Sequence, residues 1–327
     1  MKLPHPSGRQ AVATLIVLLF VAALLVFLRR RGSREFVPLT NAQQQLATSL
    51  RNDVTVLASL GERHVYAPEN LHAAADFIER SFAPHKVERQ SYVVDDVRID
   101  NLIVEIRGTT RANEIVVIGA HYDTVEITPG ADDNASGVAG LLALARRFVD
   151  AKPSRTLRFV AFTNEEPPHF QTRDMGSYRY AQRCHERGET IVAMLSLEML
   201  GYYDAKSGAQ QYPRPLSVLY PDTGDFIAFA GNLSSRALVR RATRTFRRAK
   251  TMPAESAALP EVIQEIGWSD QWSFWQFGWP AIMVSDTALF RNPHYHLPSD
   301  TPETLDYARM ARVVDGLAFV IEDLTSR

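Results

Sequence analysis

Hydrophobic positions along this chain fall into three regimes. From Ala11 to Leu28 every residue except Thr14 is apolar or small, a run of 18 residues. As a helix it would be about 27 Å long, at the short end for crossing a bilayer. Lys2 and Arg9 precede it, and Arg29, Arg30, Arg31 and Arg34 follow. The second regime has helical spacing. Leu46, Leu50, Val54 and Leu57 repeat along 41–59, and Leu71, Ala74, Phe77 and Ile78 share one side of 68–82 behind Pro68. The third regime alternates strands with helices. Strands are predicted at 87–95, 100–107, 115–121, 157–163, 191–198, 216–220 and 280–285. Helices are predicted at 135–150, 174–187, 233–248, 269–277 and 303–325, and 202–215 reads as a loop. The runs IVVIGA, LRFVAF and IVAMLSL are apolar at nearly every position, as in strands covered on both faces. The pattern predicts one α/β domain, a three-layer α/β/α sandwich around a largely parallel mixed sheet, preceded by one transmembrane helix.

The first regime has competing readings. A buried core helix is rarely apolar all round, and RRRGS after the run is a poor cleavage site for a signal peptide. An uncleaved anchor fits better. The expected organisation is a tail at 1–10, a transmembrane anchor at 11–28, a tether at 29–38 and one catalytic domain at 39–327. The arginines after the anchor would hold that domain in the cytoplasm by the positive-inside rule, although long domains translocate despite such charges.

Composition narrows the picture without directing it. The chain is 46% hydrophobic and 22% charged, as a globular protein should be. A formal net charge of -1 gives no reason to expect a nucleic-acid partner. Cys184 is the single cysteine, which excludes an intrachain disulfide and a thiolate-rich metal site. Nothing in the sequence sets an oligomeric state.

Candidate chemistry collects where strands end, which is where open α/β sheets bind ligands. IVVIGA runs into His121, Tyr122 and Asp123. LRFVAFTN runs into Glu165 and Glu166, and IVAMLSL runs into Glu198. PAIMVSD leads through a loop to His294, Tyr295 and His296, and GADDNASG puts Asp132 and Asp133 before a helix. Each piece has an ordinary reading: a structural His-x-Asp, a solvated Glu pair, an N-cap carboxylate, a paired core acid. Together they form a set of imidazoles and carboxylates suited to zinc. An acid inside LSLEML needs a partner, because unpaired buried charge is costly, and a metal would be one. Neighbouring glutamates on an extended segment point apart, so one can bind metal while the other faces substrate.

In order, HYDTV, GADDNASG, NEE, GSYRYA, LEMLG and HYHLPSDT resemble the motifs of co-catalytic zinc aminopeptidases, the family of bacterial leucyl aminopeptidase, to which glutaminyl cyclases are related. The resemblance covers roughly residues 100–310 and none of the anchor. It implies a zinc peptidase acting on peptide substrates, with two Zn2+ per chain. His121 and Glu198 would hold one zinc, Glu166 and His296 the other, and Asp133 would bridge them. Glu165 would be the general base for a metal-activated water, and Asp123 would orient His121. His296 fits the family position better than His294. The resemblance also favours a catalytic domain outside the cytoplasm, against the arginine flank.

Two features depart from the family pattern: Glu198 replaces a usual aspartate, and PPHFQTRDMGS follows the Glu pair, with His169 expected at the surface. His5, His64, His72, His85 and His185 show no partner pattern, and Trp268, Trp272, Trp275 and Trp279 read as packing aromatics. Alternatives are a glutaminyl cyclase using one zinc, another amide hydrolase on this fold, and a non-catalytic membrane-anchored binding protein. A serine hydrolase is disfavoured by the lack of a GxSxG elbow.

Overall fold

The computed structural model describes residues 36–212 and 216–326. The expected anchor at 11–28 lies outside them. Among the described residues no helix is long and apolar enough to cross a membrane.

Two helices open the described chain. Helix α1 (Asn41–Ser59) starts at a capping box in which Thr40 and Gln43 satisfy each other's backbone N–H groups. It buries Leu50, Val54 and Leu57. Helix α2 (Pro68–Ser81) begins on its proline, whose missing N–H costs nothing at a helix start.

Eight strands follow: β1 (Val87–Val94), β2 (Val97–Ile106), β3 (Arg111–His121), β4 (Arg155–Phe162), β5 (Thr190–Glu198), β6 (Ile227–Asn232), β7 (Ala254–Leu259) and β8 (Ala281–Ser285). They form one mixed sheet in the order β1-β2-β4-β3-β5-β8-β6-β7. The centre, β4-β3-β5-β8, is parallel, while β1, β2 and the β6–β8 pairing supply the antiparallel contacts. Helices α3 (Gly137–Arg147), α4 (Gly176–Glu186), α5 (Arg236–Ala249), α6 (Gln271–Trp275) and α7 (Tyr307–Ser326) connect and flank the strands. Helix α3 packs on β3, β4 and β5, while α1 and α5 both pack on α7. Tyr180, Cys184 and Phe274, from α4 and α6, share a core with Ile115, Val117, Val160 and Met194 of the sheet. Trp275 and Trp279 pack against that core, as expected of packing aromatics.

The expected strand at 216–220 is instead a single tight turn, Leu216–Val218, with Val218 and Leu219 exposed. Its apolar letters suggested a strand, but Pro221 ends the run without an N–H for a ladder. Strands β6 and β7 were not expected. Their sequences, IAFAGN and AESAAL, are mostly alanine and other small residues with weak strand preference.

Residues Asp204–Asp225 form a separate small unit. A bridge between Asp204 and Gly224 closes it, and Tyr212 stacks on Tyr220 with ring centres 5.6 Å apart.

The parallel register positions the chemistry. Gly119 of β3 lies opposite Ser196 of β5, so two residues further on His121 and Glu198 end their strands side by side. His121 is also level with Phe162, the last residue of β4, three residues before Glu165.

Candidate metal centre

Three short groups of ligand atoms lie together at these strand ends: His121 with Glu165 and Glu166, His121 with Asp133 and Glu198, and Asp133 with Glu166 and His296. His121 Nε2 is 3.2 Å from Glu198 Oε2 and 3.4 Å from Asp133 Oδ1. His296 Nε2 is 3.1 Å from Asp133 Oδ2 and 3.4 Å from Glu166 Oε2. The two oxygens of Asp133 therefore face two different imidazoles. Glu165 Oε2 is 3.9 Å from His121 Nε2. The structure thus brings together all of His121, Asp133, Glu165, Glu166, Glu198 and His296, with Asp123 directly behind His121. His294 is turned away, its Nδ1 2.9 Å from Ser299 Oγ. His169, expected at the surface, is half-buried and faces Asp95 at 3.3 Å.

Several supports hold these groups in place. Asp123 Oδ2 accepts the Glu166 N–H at 3.0 Å, while His121 Nδ1 faces Asp123 through the backbone oxygen at 3.2 Å and Oδ1 at 3.5 Å. An N–H at Nδ1 leaves the Nε2 lone pair for a metal. The kinked segment Ala131–Ser136, non-helical at Asp133 and Asn134, presents Asp133 and is anchored by Asp300, whose carboxylate accepts the N–H groups of Asp132 and Asp133. Asp132 does not cap α3. Its oxygens accept Gly201 N–H at 2.9 Å and Asn292 Nδ2–H at 2.7 Å. Gly130 enters the turn at φ +55°, and a Cβ there would lie 2.3 Å from the Asp133 carbonyl oxygen, so only glycine fits. Asn164, Met199 and His296 also adopt positive φ, at 61°, 52° and 58°. Three non-glycine residues in the left-handed region beside one cluster concentrate backbone strain at this site.

Sequence reasoning missed the groups behind the ligands. Ser269 donates to Glu198 Oε2 at 2.6 Å, and the adjacent Asp270 is fully buried with both oxygens free of hydrogen bonds. Arg63, also fully buried, donates to the carbonyls of Leu57, Gly61, Tyr122, Pro129 and Gly130. It has no motif signal. Asp300 did: it sits in the HYHLPSDT segment four residues after His296.

The electrostatics are those of a site built for cations. Burial alone would lower His121, but Glu198, Glu165, Asp123 and Asp133 hold its pKa well above the usual imidazole value. His296 likewise resists the effect of burial and is pushed up to about 10 by Asp133 and Glu166. Burial and the Asp133 charge raise Glu166 to about 7, against the pull of His296. Glu165 is raised well above its usual range by burial, opposed by His121 and reinforced by Glu166, Glu198 and Asp270. Burial lowers Arg63 to about 10 despite four nearby carboxylates. Buried Asp133 Oδ1, Glu166 Oε1 and His296 Nε2 have no hydrogen-bond partner. Converging nitrogen and oxygen donors left unsatisfied in this way fit a resident metal of the zinc type.

Comparison with known proteins agrees with this geometry. Residues 101–321 match the family model "Peptidase family M28". The uncharacterized protein YfbL of Escherichia coli is 39% identical over 260 residues, covering 76% of this chain and 79% of that protein. Leucine aminopeptidase 1 of Fusarium vanettenii is 29% identical over 64% of this chain, and the match spans 52% of the fungal protein, about half its length. Among solved structures, the LapA aminopeptidase of Legionella pneumophila shares the fold with a TM-score of 0.66 at 19% identity, covering 90% of this chain and 78% of that one. The glutaminyl cyclase of Fimbriiglobus ruber does so with a TM-score of 0.62 at 18% identity, covering 90% and 99%. With two thirds of its length in the family match and a zinc-type donor set at its strand ends, the chain belongs to peptidase family M28 and is a metallopeptidase.

Proposed function

We propose that the protein is an aminopeptidase that uses two zinc ions. The observation that carries this reading is Asp133, whose Oδ1 faces His121 and whose Oδ2 faces His296. In this reading His121 and Glu198 hold one ion, Glu166 and His296 hold the other, and Asp133 is shared. When bound, the metal pair polarises the scissile carbonyl and makes water more acidic.

The remaining work belongs to the chain. Asp123 fixes the His121 ring. Glu165 takes the proton of the attacking water and delivers it to the leaving amine, a role suited to a carboxylate whose basicity burial has raised. The excess of buried carboxylates, Glu165, Glu166, Glu198 and Asp270 among them, favours a substrate that brings its own positive charge. A free N-terminal ammonium supplies one, which points to removal of the first residue of a peptide. Segment 11–28 anchors the chain in a membrane through the tether 29–38, with the domain 39–327 on the outer side.

The test is zinc content of the full chain together with hydrolysis of a panel of aminoacyl-anilides. Two zincs per chain with chelator-sensitive release of the first residue support the reading. One zinc with cyclisation of glutaminyl peptides would move the protein to the cyclase branch. A folded chain that binds no metal would end it. Protease accessibility in sealed cells checks the side of the membrane.

A further inference from the structure

Helix α5 carries Arg236, Arg240, Arg244 and Arg248, each one helical repeat of four from the next and each exposed. At 1.5 Å per residue they form a stripe about 18 Å long. The neighbouring cations Arg241 and Arg247 are paired, with Asp323 and Glu255. Among the described residues no carboxylate lies within ion-pair distance of the four stripe arginines. The helix itself, RALVRRATRTFRRA, contains no acidic residue.

The stripe does not serve the helix. Like charges four residues apart repel, and Arg236 stands in the first turn, where the helix dipole disfavours a cation; only Arg248, in the last turn, is placed where the dipole favours one. Nor does it reflect a basic protein, since the chain has 36 Lys and Arg against 37 Asp and Glu. The opposite face is a normal buried one, with Leu238, Val239, Ala242 and Phe246. An uncompensated row of guanidinium groups on a well-packed helix fits an extended anionic surface.

We propose that this stripe docks on the anionic headgroups of a lipid bilayer. The inference rests on the anchor reading of segment 11–28, which brings a bilayer to this chain. Two further observations favour lipid over nucleic acid. The helix presents no exposed aromatic to stack on bases, since its Phe246 is buried. Leu233, just before the first turn, is 48% exposed and offers an apolar tip of the kind that enters the headgroup region.

The experiment uses the full chain carrying Ala237→Cys. Ala237 is exposed beside the stripe, and the native Cys184 is buried, so a fluorophore goes to the new thiol. The chain is reconstituted into phosphatidylcholine nanodiscs with or without phosphatidylglycerol, each containing a headgroup quencher. Quenching is expected only with phosphatidylglycerol and should be relieved by salt. Each arginine near such a surface is worth on the order of fivefold in occupancy, so R240E/R244E should lower the docked-to-free ratio by roughly an order of magnitude or more. Anilide turnover of that variant should stay unchanged and serves as its folding control. Equal quenching in both compositions would overturn the proposal. So would an oligonucleotide that shields the label while phosphatidylglycerol does not. If the chain stays out of both bilayers, the anchor reading fails. The stripe is then judged by adding phosphatidylglycerol vesicles to the same labelled chain, where quenching supports docking and its absence refutes it.

Discussion

Two clusters of charge in this molecule, one reaching solvent and one buried, are built in opposite ways. At the β1–β2 edge, Arg89 donates to Asp76, Glu79 and Asp100, and Ser91 donates to Asp100 as well. Carboxylates outnumber cations there as well, but Asp76 and Glu79 reach solvent while the buried Asp100 is met by Arg89 and Ser91, so no atom of Arg89, Asp76, Glu79 or Asp100 is buried without a partner. At the ends of β3, β4 and β5, carboxylates outnumber cations and several buried polar atoms meet nothing. A paired cluster contributes to stability, whereas a deficient one is a cost the fold carries for the sake of something it will bind.

The largest way to test that contrast is to remove a working group while leaving the deficiency. Glu165→Gln should lower turnover of aminoacyl-anilides by roughly 10²–10⁴-fold with metal content unchanged, measured by steady-state kinetics and elemental analysis. Near-normal turnover would remove Glu165 from the base role. Asp133→Asn attacks the deficiency itself. Both oxygens face imidazoles, so affinity at both metal positions should fall at least about a hundredfold, beyond the 10–100-fold typical of residues that only support a ligand. Loss of one metal alone, with the other bound normally, would show that Asp133 does not bridge.

The third effect is a proton count. In the metal-free chain His296 has its pKa raised from 6.5 to about 10, so its proton stabilises the fold fully below 6.5 and that contribution disappears as pH rises through about 10. A metal must displace this proton and the one on His121. Metal binding at neutral pH should therefore release more than one proton, and affinity should climb about tenfold per pH unit for each proton displaced. Calorimetry in two buffers of different ionisation heat reads the release directly, and zero release would contradict the proposed ligand set. The smallest effect on chemistry should come from the paired cluster. Arg89→Ala leaves Asp100 buried and short of its cation, costing about 1–3 kcal/mol in urea unfolding while turnover stays intact.

The same contrast explains what could be read from the sequence. His121, Glu165, Glu166 and Glu198 were legible as candidates because each lies at or just past the end of an apolar run, and strand ends in open α/β sheets are known in advance to face a crevice, whereas Asp133 and His296 were singled out by the motif resemblance. The central strands were legible for the same reason. Strands β6 and β7 were not, because IAFAGN is short and carries only Ile227 and Phe229 among small residues, AESAAL has no β-branched or aromatic residue, and β7 occupies an edge where burial is partial. The supports were hidden because their meaning is three-dimensional. Arg63 reads as a surface arginine after Glu62 until the fold wraps five carbonyls around it, and Ser269 is an unremarked serine until Glu198 arrives beside it.

The anchoring of the Asp133 turn also sets a schedule. The backbone of that turn is held by Asp300, and one imidazole facing Asp133 is that of His296, so both are made after His121, Glu166 and Glu198. Arg63, which grips the same turn at Gly130, is made before all of them. A nascent chain that stops short of His296 has neither the frame nor the full donor set to retain a metal. A complete donor set therefore waits for residues 296–300 to join the fold, whatever order the other donors arrive in.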